Sequence, residues 1–181
     1  MKILAFAASN SKTSINKALV THASQVLKAE FIAHAEIEII DLNDFEMPIY
    51  SADREKENGI PRLAHQFFEK ISASDALLIS YAEHNGLYTA AFKNIFDWAS
   101  RIDMKVFQDK PMLAMSASVG KNGGANVLKT ALGSAPFFGA KIVGSFSVGP
   151  FTEHFIDDEL VTPELAKDLR HALKSLIEKD I

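Results

Sequence analysis

The sequence predicts a doubly wound α/β domain, a five-stranded parallel sheet with helices on both faces. Three observations carry that reading. Short apolar runs recur at Ile3–Ala7, Glu36–Asp41, Ala76–Ser80, Pro111–Ala117 and Lys141–Val148. Segments of helical periodicity lie between them, and such alternation requires crossovers and a parallel sheet. Polar turns rich in Ser, Asn and Gly come after the first, third and fourth runs, at the strand ends where doubly wound sheets take their ligands.

The first run reads as a buried strand. Ala8-Ser9-Asn10-Ser11-Lys12-Thr13-Ser14-Ile15-Asn16 is the turn after it, and Ile15 to Phe31 is the first helix. The second strand closes on Asp41, and a helix between two such strands implies a right-handed crossover. Leu42 to Gly59 is expected to be irregular, with the charged run Asp53–Glu57 a solvated loop and Tyr50 either a half-buried aromatic or part of a functional rim. Pro61 suits the first turn of a helix from about Ile60 to Ser72, whose apolar face is Leu63, Phe67, Phe68 and Ile71. The third strand is apolar on both faces and therefore central. Tyr81–Leu87 is expected to be a turn, and Thr89–Arg101 a helix with Trp98 at the margin of its apolar stripe. After the fourth strand come the loop Ser118–Gly124 and a helix Ala125–Phe138. Thr162-Pro163 opens a last helix running to about Lys179. With strands in the order 2-1-3-4-5, the loops after strands one, three and four converge on one crevice.

A chain of 181 residues that is 48% hydrophobic is expected to be one globular domain. The net charge is −4 and the lysines are scattered, which argues against a nucleic-acid partner. There is no cysteine, so disulfides and thiol chemistry are excluded. No apolar run is long enough for a bilayer, and Met1 leads straight into a strand. The expectation is a cytoplasmic protein without a membrane partner. His22, His34, His65, His84, His154 and His171 have no metal-ligand spacing, and no serine sits in a nucleophile elbow. The carboxylates Glu153, Asp157, Asp158 and Glu159 read as a solvated loop.

The first turn has the makings of an anion site. A helix N-terminus aims its dipole and unpaired N–H groups at it, and Ser9, Ser11, Thr13, Ser14 and Asn16 add hydroxyl or amide donors. Without glycine it is neither a dinucleotide fingerprint nor a P-loop, and it suits a terminal monophosphate. The alternative is that Ser14 or Thr13 simply caps the helix. Glu83-His84-Asn85-Gly86 offers amides and an asparagine, with Gly86 allowing backbone to approach a flat ligand. Ser118-Val119-Gly120-Lys121-Asn122-Gly123-Gly124 does the same from a third position. Together the loops fit a planar ring with a monophosphate tail.

These residues resemble the NAD(P)H-dependent FMN reductases, flavodoxin-like proteins that include quinone and azo reductases. In the family's first loop, G-S-x-R-x-x-S-x-N, Ser9, Ser14 and Asn16 match, while Ala8 and Ser11 replace the glycine and the arginine. Of P-x-Y-N-G and the subsequent L-K-N-x-x-D-W, the matches are Asn85-Gly86, Lys93-Asn94 and Asp97-Trp98, with Ala82 and His84 in place of proline and tyrosine. S-x-S-x-G-x-x-G-G is matched by Ser116, Ser118, Gly120, Gly123 and Gly124. The resemblance implies bound FMN, with its phosphate held by Ser9, Asn10, Ser11, Ser14, Ile15 and Asn16. Ala82, Glu83, His84, Asn85 and Gly86 would run along the ring edge, and the third loop would approach the ring from its other side. It implies hydride transfer from NADPH or NADH to the flavin, then onward to a quinone, free flavin, azo compound or similar acceptor in ping-pong fashion. No catalytic side chain is implied, because the cofactor carries the chemistry. A homodimer or tetramer is implied as well; Trp98, at the margin of its stripe, is either an interface aromatic or part of the core. Two rival readings are an FMN-binding electron carrier and a family member that has lost flavin and acts as an interaction protein.

Overall fold

Residues 1–178 of the chain are described in a computed structural model. In order, the elements are β1 (Lys2–Ala8), α1 (Ile15–Glu30), β2 (Glu36–Ile40), α2 (Ala52–Asn58), α3 (Arg62–Ser72), β3 (Ala76–His84), β4 (Leu87–Tyr88) and α4 (Ala90–Ile102). They continue with β5 (Pro111–Ala117), α5 (Ala125–Ser134), β6 (Lys141–Val148), α6 (Phe151–His154), β7 (Phe155–Ile156), β8 (Glu159–Leu160) and α7 (Pro163–Ile177). Lys179, the expected end of the last helix, lies outside the described residues.

The sheet runs β2-β1-β3-β5-β6, every pair parallel, which is the expected flavodoxin-like order for the five long strands. Its register brings Ala8 beside Tyr81, Ala82 beside Ala117 and Ala117 beside Val148, so the strands end together along one edge. Because β1, β3 and β5 are apolar at successive residues, both sheet faces are buried. One face carries α3, α4 and α5 over an aromatic core of Phe6, Phe45, Phe67, Tyr81, Phe92 and Phe107. The other carries α1 and α7 over an aliphatic core that includes Leu19, Val20, Leu27, Leu169 and Leu173. Phe6 is fully buried and meets Phe67 edge-on at 5.6 Å, a contact whose loss on truncation to Ala costs about 3–5 kcal/mol.

The structure corrects several sequence expectations. The charged run is solvated but not a loop: it is helix α2. Ser51 caps it by accepting from the Arg54 N–H at 3.2 Å, Asp53 and Glu55 stand in its first turn, and Gly59, at φ +71, ends it. Buried side chains do not hold it, since it has none. Glu55 does, receiving Arg101 at 2.9 Å and the Tyr50 hydroxyl at 3.2 Å. The expected turn from Tyr81 is the end of β3, which runs on to His84. Asn85 (φ 53) and Gly86 (φ 82) make a two-residue hairpin turn, and β4 returns antiparallel. The segment expected as Ala125–Phe138 divides into α5 and a 3₁₀ turn at Ala135–Phe138, where Pro136 lacks the N–H that would continue the helix. The carboxylates expected in a solvated loop lie on α6 and on the β7–β8 hairpin, whose turn is Asp157-Asp158.

For Trp98 the structure selects the core over the interface. It is 1% exposed, its indole N–H donates to the Pro48 carbonyl at 2.7 Å, and the Tyr50 ring meets it edge-on at 5.0 Å. The segment after β2 covers that side of α4, so Trp98 is core and not an interface aromatic.

Candidate functional site

The loops after β1, β3 and β5 meet at one edge of the sheet, joined by three side chains. Asn16, in the first turn of α1, is 2% exposed. Its amide oxygen accepts from the Ser80 hydroxyl and from the Ala117 N–H, both at 2.8 Å, and its amide nitrogen donates to the Ala117 carbonyl at 3.0 Å. One residue thus pins the helix N-terminus to β3 and β5. Thr89 caps α4 by accepting from the Phe92 N–H, and donates its hydroxyl to the Ala8 carbonyl at 2.9 Å. Glu83 accepts from the Val127 N–H at 2.9 Å, which ties the second loop to the start of α5, where Gly124 has no capping side chain. Thr89, Ser80 and the Glu83 contact were not read from sequence. The signal for Thr89 was a threonine at the head of a periodic segment.

The first loop keeps its donors outward. Asn10, Ser11, Lys12 and Thr13 are exposed. Among the described residues the N–H groups of Asn10, Lys12, Thr13 and Ile15 make no hydrogen bond within the chain. Ser9 is 6% exposed, and its hydroxyl accepts from the Ser11 N–H at 3.2 Å. Ser14 caps α1 by accepting from the Lys17 N–H at 3.3 Å. Lys17 is paired with Asp41 at the end of β2. Its hydrogen bond, and then that from the Asn43 N–H, hold the Asp41 carboxyl below its usual range. Lys12 makes no ion pair among the described residues. Beside this loop a cavity of about 420 Å³ opens along α1, lined by Lys12, Thr13, Lys17, Thr21, His22 and Gln25. His22 lies edge-on to Phe155 at 5.6 Å, and burial lowers its pKa.

In the second loop His84 and Asn85 are exposed, and Ala82 is buried between β1 and β5. A Cβ on Gly86 would meet nothing nearer than the Asn126 side chain at 4.0 Å, so the backbone there is bare on its outer side.

The third loop turns inward. Ser116 is fully buried and donates to the Gly123 carbonyl at 2.7 Å, and Ser118 donates to the Gly120 carbonyl at 3.0 Å. Gly123 (φ 59) and Gly124 (φ 77) pack on Val148 and on Ser116. A Cβ on Gly149 would lie 2.4 Å from the Gly120 carbonyl oxygen and 2.6 Å from the Gly123 nitrogen. That glycine, not singled out in the sequence, lets the loop close against the end of β6.

A second concavity lies beside the crevice. A groove of about 500 Å³ runs between α4 and α5, walled by Tyr88, Phe92, Phe96, Met104, Phe107 and Phe138, with Leu87 at its lip. Lys93 and Asp97 pair along its rim at 2.6 Å.

The parallel sheet order and the three strand-end loops that meet at its switch point define a flavodoxin-like α/β protein, and the switch point is where sheets of this kind take their ligands. A profile of the NADPH-dependent FMN reductases matches residues 1–153, and the chain belongs to that family. It is 32% identical over 124 residues to an NADPH:quinone oxidoreductase of Arabidopsis thaliana, covering 68% of this chain and 61% of the relative. It is 34% identical over 95 residues to a quinone reductase of Escherichia coli K12, covering 52% of this chain and 50% of that protein. The aligned part thus spans half to three fifths of those relatives' lengths. Among solved structures, the FerB flavoenzyme NAD(P)H:(acceptor) oxidoreductase of Paracoccus denitrificans superposes with a TM-score of 0.75 at 22% identity, over 98% of this chain and 95% of that one. An FMN-dependent NADH-azoreductase of Bacillus anthracis, solved in complex with FMN, gives 0.64 at 16%, over 97% of this chain and all of that one.

Proposed function

We propose that the chain is an FMN-dependent NAD(P)H oxidoreductase acting on a quinone, free flavin, azo compound or similar acceptor. The observation that carries the reading is the outward set of donors at the N-terminus of α1, beside two loops that leave backbone bare. The residues fit FMN. Unpaired amides at Asn10, Lys12, Thr13 and Ile15, with the exposed hydroxyls of Ser11 and Thr13, suit a phosphate. Lys12 supplies the cation that the family's arginine would supply. Ser9, Ser14 and Asn16 shape the loop from beneath. Asn85, Gly86, Gly120 and the glycines behind them leave room for a flat ring.

FMN, when bound, supplies the hydride-accepting and hydride-donating ring. The chain's residues supply position. Asn16 and Glu83 hold the three loops at fixed spacing. The first loop neutralises the phosphate. Backbone amides of the second and third loops stabilise negative charge at the ring edge. With the loops holding FMN in this way, nicotinamide and acceptor would bind in turn at one shared place, and ping-pong kinetics would result. The rim includes the segment around Tyr50, so substitutions at Tyr50 change the acceptor's apparent affinity more than FMN content. The protein works in the cytoplasm as a homodimer or tetramer, and among the described residues no helix is long and apolar enough to cross a membrane.

The test is titration of the purified chain with FMN, and then initial rates with NADPH and a quinone both varied. Visible flavin absorption, micromolar or tighter affinity and parallel double-reciprocal lines are expected. A colourless protein that binds no FMN, or intersecting lines with ternary-complex inhibition, would reject the cofactor or the mechanism respectively.

A further inference from the structure

The β3–β4 hairpin stands above the crevice, and it carries a departure from the family motif that brings an imidazole to the site. β1 ends at Ala8, opposite Tyr81, and β5 ends at Ala117, opposite Ala82. β3 continues to His84, about 10 Å past the level at which β1 stops. Alternation along β3 fixes which way each residue faces. Leu77, Ile79 and Tyr81 enter the aromatic core, and Glu83 follows them by accepting from the Val127 N–H of α5. Ala76 and Leu78 enter the aliphatic core, and Ser80 follows them by donating to Asn16 of α1. His84 belongs to this second series, on the side of α1 and of the outward first loop. Its backbone is held by pairing with Leu87 across the hairpin. Its ring is exposed and makes no hydrogen bond or ion pair among the described residues.

Hydride brings two electrons and one proton to an oxidised flavin, so the ring gains one negative charge. The charged groups around the crevice differ in what they can do about it. Lys17 and Asp41 neutralise each other, and Glu83 is turned to α5. Lys12 in the first loop and Lys121 in the third are exposed cations, and Lys12 is assigned to the phosphate. Of these side-chain types and histidine, only an imidazole ordinarily changes its charge between about pH 5 and 8. Charge placed beside a flavin ring is one of the means by which a protein sets its electronics. We propose that His84 is the counter-charge of the reduced flavin: as hydride from NAD(P)H reaches the ring, the imidazole takes one proton from solvent, and the summed charge of ring and side chain does not change. Reoxidation by an acceptor releases that proton. A tyrosine, the family's residue at this position, is a neutral hydroxyl and offers no such charge. The proposal rests on the reductase reading for its cofactor and deepens it by naming the residue that balances the ring.

The test measures affinity for oxidised and for reduced FMN, by titration and by spectroelectrochemistry, in wild type, His84→Gln, His84→Tyr and His84→Arg. His84 is exposed, so all four should share one melting temperature. The Arg variant carries a fixed cation. It should favour reduced over oxidised FMN about tenfold more than the Gln variant does, which is about 30 mV for a two-electron couple. Wild type should match the Arg variant at about pH 6 and the Gln variant at about pH 8, with the Tyr variant following Gln throughout. By linkage, the titration of the His84 ring protons, followed by NMR, should lie at higher pH with reduced FMN bound than with oxidised FMN. A wild type whose preference for reduced FMN runs parallel to that of His84→Gln across this range overturns the proposal. So does a His84→Arg variant no different from His84→Gln. In both of those outcomes FMN is bound, and the reductase reading stands. A chain that binds neither form of FMN overturns both.

Discussion

The first and third loops both follow a strand end, and they use their serines oppositely. Both are short and polar, the first rich in serine and the third in glycine. The first leaves Asn10, Ser11, Lys12 and Thr13 exposed, with several amides unpaired. The third directs Ser116 and Ser118 onto its own carbonyls and packs Gly123 and Gly124 on the ends of β5 and β6. The difference lies in the structure that each loop leads into. A capped helix leads off from the first and leaves the turn standing clear. The third must close against β6 before α5 starts, so its two ends are tied inward through Ser116, Ser118 and Gly123, while Val119 to Asn122 stay exposed at its tip. A serine in a strand-end loop is therefore a ligand donor only where the fold does not already require its hydrogen bond.

Substitutions can break or sharpen this contrast. The largest effect is expected at Asn16, the one residue of the first stretch directed wholly inward. Asn16→Ala leaves the Ser80 hydroxyl and both backbone groups of Ala117 without their partner and should lower stability by roughly 3–5 kcal/mol, read by denaturant melts. If its only effect is on FMN affinity, Asn16 belongs with the outward donors. Gly149→Ala forces a methyl group onto Gly120 and Gly123, and about 3 kcal/mol of destabilisation is expected. Ser116→Ala strands the Gly123 carbonyl, costing about 1–2 kcal/mol and weakening FMN only indirectly. In the first loop the pattern reverses. Ser11→Ala and Lys12→Ala should leave the melting temperature unchanged while each weakens FMN binding about tenfold, measured by fluorescence titration. Loss of stability without loss of affinity would show that the first loop is a closed turn like the third.

A smaller effect concerns acidity beside the first loop. Burial lowers the His22 pKa from its ordinary 6.5, so the folded state prefers the neutral ring. The unfolded chain binds that proton first. The contribution is therefore complete above about pH 6.5 and lost as pH falls through the folded value. Asp41, lowered by Lys17, acts with the same sign at more acid pH. Melts of His22→Phe against wild type between pH 7 and 5 should show a flatter profile for the variant. An equal slope would remove His22 from the account.

The strands and their order were legible because β1, β3, β5 and β6 are apolar runs bounded by turn residues. Helix α2 was not, because Ser51–Gly59 has no apolar stripe, and its stabilising pair Glu55–Arg101 joins residues far apart in sequence. The extension of β3 to His84 was hidden by polar residues that read as a turn. That the three loops converge was legible from the strand order, but which of their side chains turn inward was not. Nothing in the letters Ser9, Ser14, Asn16, Ser116 or Glu83 distinguishes a donor aimed at a ligand from one holding the sheet edge together. That depends on register between strands, such as Ala82 against Ala117.

Trp98 is the only tryptophan in the chain, and its place under the Tyr50 segment makes it a built-in optical probe. Flavins absorb where an indole emits, so FMN bound to the chain would drain the emission by energy transfer. Opening of the segment around Pro48 breaks the indole hydrogen bond and exposes the ring to water, which shifts the emission to the red. Intensity thus reports cofactor occupancy and colour reports the rim, and the two can be tracked separately in one unlabelled sample.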